Sequence, residues 1–239
     1  MRVNTYDRQA LHEVWAQKEY EDEHFTIGPN DVVVDIGAHI GTFSVWAAKQ
    51  ATSGRVYAFE PNQENYRLLE ENKQLNNLTN LHLFNLAVSN QVGEAVLFNS
   101  DHHSLSHSFF EVGAPNQTTV RTTSLAEILQ ANGIHRVNYL KIDAEGAEYL
   151  IVLNTPARAL RRIDKIIIEY HDYLNHDHTY QDLEKYLAEN GFEVELGASA
   201  VQRALLKIGL LKARRTDFQE ASLPSEAYEY EHASDLSLS

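Results

Sequence analysis

The chain of 239 residues contains no cysteine. That absence excludes disulfides, thiolate nucleophiles and thiolate metal ligands, and it fits a reducing compartment. Positive charge is scarce as well. Twenty Lys and Arg face 34 Asp and Glu, giving a formal net charge of −14. A surface of that sign repels a phosphate backbone on average, which disfavours RNA or DNA as a partner. No stretch approaches the roughly 20 apolar residues that a membrane span needs. The opening residues, MRVNTYDRQALHEVW, are polar and offer no apolar signal-peptide core, so the expected location is the cytoplasm.

What is present is ordinary globular material. Hydrophobic residues make up 43% and charged residues 23%. The length suits one α/β domain able to bury a full core. Residues 1–28 read as a helical lead-in, with Leu11, Val14 and Trp15 at helical spacing. The domain proper is expected over residues 29–198. Residues 199–239 are expected to form a C-terminal extension, apolar only over 204–211 and polar from 214 onward.

Within 29–198 the pattern alternates. Val32-Val33-Val34 is a short β-branched run of the kind buried on both faces. A helix is expected over 42–51, a strand over 55–59, a helix from Pro61 to Leu75, and a strand over 81–88. A strand over 94–98 follows the turn at Val92-Gly93, and 120–122 is placed to pair back with it. Ser124 caps a helix that Gly133 ends. Strands over 137–142, 165–170 and 192–196 alternate with helices after residue 143 and over 179–189. Strands alternating with helices imply right-handed βαβ units and a doubly wound, mostly parallel sheet with helices on both faces.

The segment VVVDIGAHIGTFSVWAA carries the first chemical signal. A strand ends at Asp35, glycines stand at 37 and 41, and a helix begins near Thr42. Glycine adopts positive φ freely and lets backbone approach a ligand closely. The spacing is wrong for the dinucleotide fingerprint G-x-G-x-x-G, which has one residue between its first two glycines and a third glycine beyond. The next strand ends VYAFEPN, which places Glu60 19 residues after Gly41. A carboxylate about that far along can accept hydrogen bonds from both hydroxyls of a ribose.

The pattern D-x-G-x-x-x-G resembles the first motif of Rossmann-like methyltransferases. The resemblance implies that Gly37, His39 and Gly41 line the methionine half of S-adenosylmethionine, with Asp35 steadying the loop or touching the cofactor. The order FNLAVSNQVGEAVLF, RTTSLAEIL, YLKIDAEGAEYLIVL narrows this further, since it resembles the FkbM family of methyltransferases over residues 31–171. KIDAEGAE is the most specific part. The resemblance implies the class I methyltransferase fold, with Leu86, Ala87 and Val88 flanking adenine. It also implies methyl transfer to a hydroxyl of a sugar, glycan or natural product. A nitrogen or carboxyl acceptor, or an inactive cofactor-binding scaffold, is the alternative.

Ligands of open α/β sheets bind beyond the carboxyl ends of the strands. Asp143, Glu145 and Glu148 follow one such end, and Glu169 and His171 close another in IIIEYHDYLNHDH. A sugar hydroxyl is a weak nucleophile and gains from a general base. His171 is the first expectation for that base and Asp143 the second, with Glu169 beside them. Asp143, Glu169 and His171 together would also suit magnesium, a hard cation, as an optional cofactor. Glu145, Ser106 and His107 are the expected contacts to a small-molecule or glycan acceptor. Glu148 is equally a charge at the start of a helix.

Overall fold

The computed structural model describes residues 2, 5, 7–99, 107–108, 116–175, 177–197 and 207–216. Helix α1 (Asp7–His12) runs into a π-helical turn, Glu13–Gln17. Then follow β1 (Val32–Ile36), α2 (Thr42–Gln50), β2 (Arg55–Phe59), α3 (Gln63–Leu75) and β3 (Leu81–Phe84). A second group comprises β4 (Ala87–Ser89), β5 (Gly93–Asn99), β6 (His107–Ser108) and β7 (Asn116–Ser124). Helix α4 (Leu125–Ala131), β8 (Tyr139–Ile142), α5 (Glu148–Leu153), α6 (Ala157–Leu160) and β9 (Lys165–His171) come next. The described chain closes with α7 (Tyr180–Glu189), β10 (Phe192–Leu196) and β11 (Ile208–Arg215).

Seven strands form the central sheet in the order β10-β11-β9-β8-β1-β2-β3. Pairings from β9 through β3 are parallel, and β11 is antiparallel to both β10 and β9. The fold is thus mixed α/β and mostly parallel, the class I methyltransferase arrangement. Neighbouring strand residues point to opposite faces, and β1 shows the consequence. Val33 packs with α2 residues such as Ala47, and Val34 packs with Leu129 of α4, both valines being fully buried. Helices α2 and α3 and the N-terminal segment cover one face; α4, α5, α6 and α7 cover the other.

Two departures from the sequence reading have clear causes. The run 81–88 is not one strand. β3 belongs to the central sheet, whereas β4 pairs with β7 in a separate four-stranded sheet ordered β4-β7-β5-β6. The break falls at Asn85, whose Nδ2 donates to the carbonyls of Glu60 (2.8 Å) and Pro61 (3.0 Å). The second correction is β11. The segment expected to be an extension inserts between β9 and β10, with Leu211 and Ala213 fully buried. Its charged residues are half-buried: Lys212 pairs with Asp22 and lies over the Phe25 ring, and Arg214 pairs with Glu193. Other expectations hold locally. β5 and β7 pair antiparallel, and Ser124 caps α4 by accepting from Glu127 N at 3.2 Å. Among the described residues no helix is long and apolar enough to cross a membrane.

Candidate active site

The site lies beyond the carboxyl ends of β1, β2, β8 and β9. It begins where β1 gives way to the glycine loop, at which two cavities meet. Gly37 has φ +77°, and a Cβ placed on it would meet the carbonyl oxygen of Asp143 at 1.7 Å. The close approach of the β1 and β8 ends therefore requires glycine there. Gly41 also has positive φ, and a Cβ would meet Leu69 Cδ1 at 2.3 Å. Gly41 serves the packing of the loop on α3 and lines neither cavity.

Asp35 is fully buried beneath this loop and likewise lines neither cavity. It accepts from Ser44 Oγ at 2.5 Å and lies 3.3 Å from Lys141 Nζ. Lys141 also donates to Gly37 O (3.2 Å) and Asp143 Oδ2 (3.4 Å). Burial works against the charge of this lysine, but Asp35, Asp143 and Glu169 outweigh it and hold its pKa above the ordinary value. Lys141 thus ties the β1 loop to the end of β8. Sequence reading passed over it, although a lysine inside a buried strand, next to Asp143, was a visible signal.

The narrower cavity is walled by Phe59, Leu86, Ala87, Val88 and Leu97, with Glu60 and Asn65 among its polar groups. The wider, of about 440 Å³, runs between the N-terminal segment and the ends of β8 and β9. Gly37, His39, Asp143 and Glu145 line both. His39 (φ +52°) and Glu145 (φ +47°) stand at this junction in the left-handed region, a backbone state that costs energy for residues with a Cβ.

Glu60 stands at the end of β2 and is 5% exposed. Its Oε2 accepts from His39 N at 2.8 Å, and its Oε1 from Asn62 N at 2.9 Å. Burial pushes its pKa up to about 7 against the pull of these hydrogen bonds. Nearby, three buried polar atoms have no hydrogen-bond partner: His39 Nδ1, Asn65 Oδ1 and Glu145 Oε2. All three residues line the narrower cavity. Buried polar atoms are nearly always satisfied, so this concentration points to a ligand.

The wider cleft collects the acid–base groups. Glu169 and His171 alternate with Tyr170 at the end of β9, and both line the cleft. His171 is 2% exposed. Its Nδ1 lies 3.0 Å from Glu148 Oε1 and its Nε2 3.6 Å from Glu145 Oε2. Burial opposes protonation of the ring, but Glu148, then Glu145 and Glu169, raise its pKa to about 10. Glu145 and Glu169 are each pushed up to about 8, by burial first and then by their acidic neighbours, with His171 pulling both down. The polar atoms of Asp143, Glu145 and His171 fall within 4.8 Å of one another. Glu169, the third member of the expected magnesium set, is outside that group.

The N-terminal segment supplies residues with no sequence signal. Gln9, Glu13, Val14 and Tyr20 form one wall of the cleft. The Tyr20 hydroxyl donates to Glu169 Oε2 at 3.2 Å. Asp7 is fully buried and accepts from Arg2 N (2.7 Å) and Arg2 Nη2 (2.9 Å). Arg2 Nη2 lies 3.1 Å from His39 Nε2, which fastens the segment to the glycine loop. Burial lowers the His39 pKa to about 4, with Asp7 opposing and Arg2 reinforcing the shift. Of the remaining expectations, Ser106 lies outside the described residues. His107 is placed only as a backbone position, opposite Asn99.

Known proteins resemble this chain in sequence and in fold. The family described as Methyltransferase FkbM domain matches residues 35–194. A hexuronic acid methyltransferase, AglP of Haloferax volcanii, is 27% identical over 195 residues, covering 79% of this chain and 77% of its own. The 31-O-demethyl-FK506 methyltransferase FkbM of Streptomyces tacrolimicus is 23% identical over 201 residues, covering 71% of this chain and 77% of its own. In fold, the chain is similar to the crystal structure of Methyltransferase FkbM from Methylobacillus flagellatus KT. That match has a TM-score of 0.56 and 14% identity, and it covers 85% of this chain and 47% of the other. With the family match spanning well over half of its length, from Asp35 at the glycine loop to Val194 in β10, the chain belongs to the FkbM methyltransferase family.

Proposed function

We propose that this protein transfers the methyl group of S-adenosylmethionine to a hydroxyl oxygen of a small-molecule or glycan acceptor. The observation that carries the reading is the junction at Gly37, His39, Asp143 and Glu145, where a narrow, largely apolar cavity opens into a wide acidic cleft. Leu86, Ala87 and Val88 give adenine an apolar slot. Glu60 offers the ribose hydroxyls an open acceptor site on Oε2, which takes His39 N, and a weakly held one on Oε1, which takes Asn62 N and, at 3.4 Å, Asn65 Nδ2. Asn65 Oδ1 and His39 Nδ1 are unsatisfied groups on the same wall. Bound there, the cofactor supplies a methyl group on a positively charged sulfur, and the carboxylate of Asp143 favours that charge at the junction.

The chemistry is an in-line displacement. The acceptor oxygen forms a bond to the methyl carbon, the carbon–sulfur bond breaks, and its electron pair stays on sulfur. The hydroxyl proton must leave at the same time. Glu169 is the group we assign to take it. It faces the acceptor cleft and not the narrower cavity, and its pKa near 8 is matched to work around neutral pH. His171, the base expected from sequence, is flanked by Glu148 and Glu145 and acts in this reading as a fixed cation. An imidazolium has no lone pair to accept a proton, so His171 is not the base in this reading. Much of the remaining rate enhancement comes from holding acceptor and methyl in line within the cleft. The test is turnover of hydroxylated glycosides by wild type and Glu169→Gln with saturating S-adenosylmethionine. The variant should bind the cofactor but lose about 100-fold or more in kcat. An unchanged kcat would remove Glu169 from the role.

A further inference from the structure

We propose that the N-terminal segment takes part in cofactor recognition: Arg2 makes His39 a hydrogen-bond donor through Nδ1, and that donor holds the carboxylate on the methionine half of S-adenosylmethionine. The inference rests on the proposed cofactor reading and adds to it a contact and a residue, Arg2, that it does not use. Arg2 Nη2 lies 3.1 Å from His39 Nε2. A guanidinium can only donate, so Nε2 accepts and carries no hydrogen. The ring hydrogen is then on Nδ1. That nitrogen is buried and has no hydrogen-bond partner. An unpaired buried N–H is costly, and His39 lines both cavities, which leaves a bound ligand to satisfy it.

The donor is held in place from two sides. Asp7, fully buried, accepts from Arg2 N at 2.7 Å, Nη2 at 2.9 Å and Nε at 3.3 Å, so the guanidinium cannot turn away from the ring. The His39 backbone N donates to Glu60 Oε2 at 2.8 Å, which ties the ring to the carboxylate assigned to the ribose. The part of the cofactor that meets Nδ1 follows from charge. With adenine in the narrower cavity and ribose at Glu60, the amino-acid half extends across the junction into the wider one. Asp143 on the far side of the junction repels a carboxylate, whereas His39, backed by a guanidinium, attracts one. Lys141 is committed to Asp35 and Asp143. Helix α2 starts directly after the loop with no side chain capping it, and its first residues, Thr42 and Phe43, line the wider cavity. The free N–H groups of such a helix start favour an anion on the same side as His39.

The experiment is calorimetry of the full chain with S-adenosylmethionine and decarboxylated S-adenosylmethionine, which differ only in that carboxylate. Wild type should bind the carboxylate-bearing compound about 10-fold or more tightly. His39→Gly accepts the positive φ and keeps the backbone N–H to Glu60. It should abolish the preference and bind the decarboxylated compound as wild type does. Arg2→Met combined with Asp7→Leu removes the buried pair without stranding a charge, and should narrow the preference. A purely structural clasp would weaken both compounds alike. That result, equal binding of the two by wild type, or a preference that survives His39→Gly overturns the proposal and leaves the proposed function standing. Binding of neither compound by wild type refutes both. If the variants do not fold, the wild-type preference and nitrogen NMR of the His39 ring, assigned through its backbone, decide. The hydrogen should be on Nδ1; a hydrogen on Nε2 overturns the proposal.

Discussion

Glu60 offers the sharpest quantitative test of cofactor recognition. Its carboxylate is 5% exposed and held by His39 N and Asn62 N. In the proposed cofactor complex it also receives the two ribose hydroxyls. A hydrogen bond to a charged acceptor contributes about 1.5–3 kcal/mol, so losing one weakens binding by roughly 10- to 100-fold. Glu60→Gln keeps the shape but turns one acceptor into a donor, and should cost at least one such bond. Glu60→Ala removes both. The pH dependence follows from the pKa near 7. The ionised form is the one that accepts, so affinity is full above that pH and falls as pH drops through it, by about tenfold per unit at the limit. Glu60→Gln should be flat across the same window. Calorimetric titration with S-adenosylhomocysteine from about pH 5.5 to about pH 8.5 spans the ionisation and reads all of this. Equal affinity for Glu60→Gln and wild type, or affinity that rises on acidification, would refute the reasoning.

Other substitutions test the frame around the site. Gly37→Ala drives a Cβ into the backbone carbonyl of Asp143, so backbone must move; thermal melts should show a loss on the order of 3 kcal/mol or more. Lys141→Met leaves Asp35 buried without its cation and should cost about 3–5 kcal/mol at neutral pH. Ser124→Ala removes the cap of α4 at a residue that lines neither cavity; it should cost about 1 kcal/mol in denaturant unfolding and leave S-adenosylhomocysteine affinity unchanged.

The parts legible in the sequence are those with one dominant physical cause. β1, β2, β8 and β9 are short, largely apolar runs buried on both faces. The glycine loop was readable because positive φ and close approach both demand glycine at position 37. Glu60 was readable because its distance from the loop is set by one helix and one strand. β11 was hidden by its own composition. Lys212, Arg214 and Arg215 mask a strand whose buried side is only Leu211 and Ala213. The break at Asn85 was hidden by apolar residues on both sides of it.

The site shows the same division. Asp143, Glu145, Glu169 and His171 could be placed together from strand ends alone, and they do come together. Their division of labour could not be, because it depends on which carboxylate meets which ring nitrogen. Glu148 reads in sequence as a helix-end charge, and only its three-way contact with Ala144, Gly146 and His171 shows that it joins the β8–α5 turn to the end of β9. Tyr20 and Asp7 lie in a segment whose periodicity suggests only a covering helix, and long-range contacts alone give them a place at the site.

The central claim is that the junction of the two cavities is built for S-adenosylmethionine. Its most direct test is calorimetric titration of the full chain with S-adenosylmethionine and S-adenosylhomocysteine, with NAD as control. The predicted result is micromolar binding of both sulfur compounds, lost in Glu60→Ala, and no heat with NAD. Folded protein that binds neither sulfur compound, or that binds NAD in their place, would contradict it.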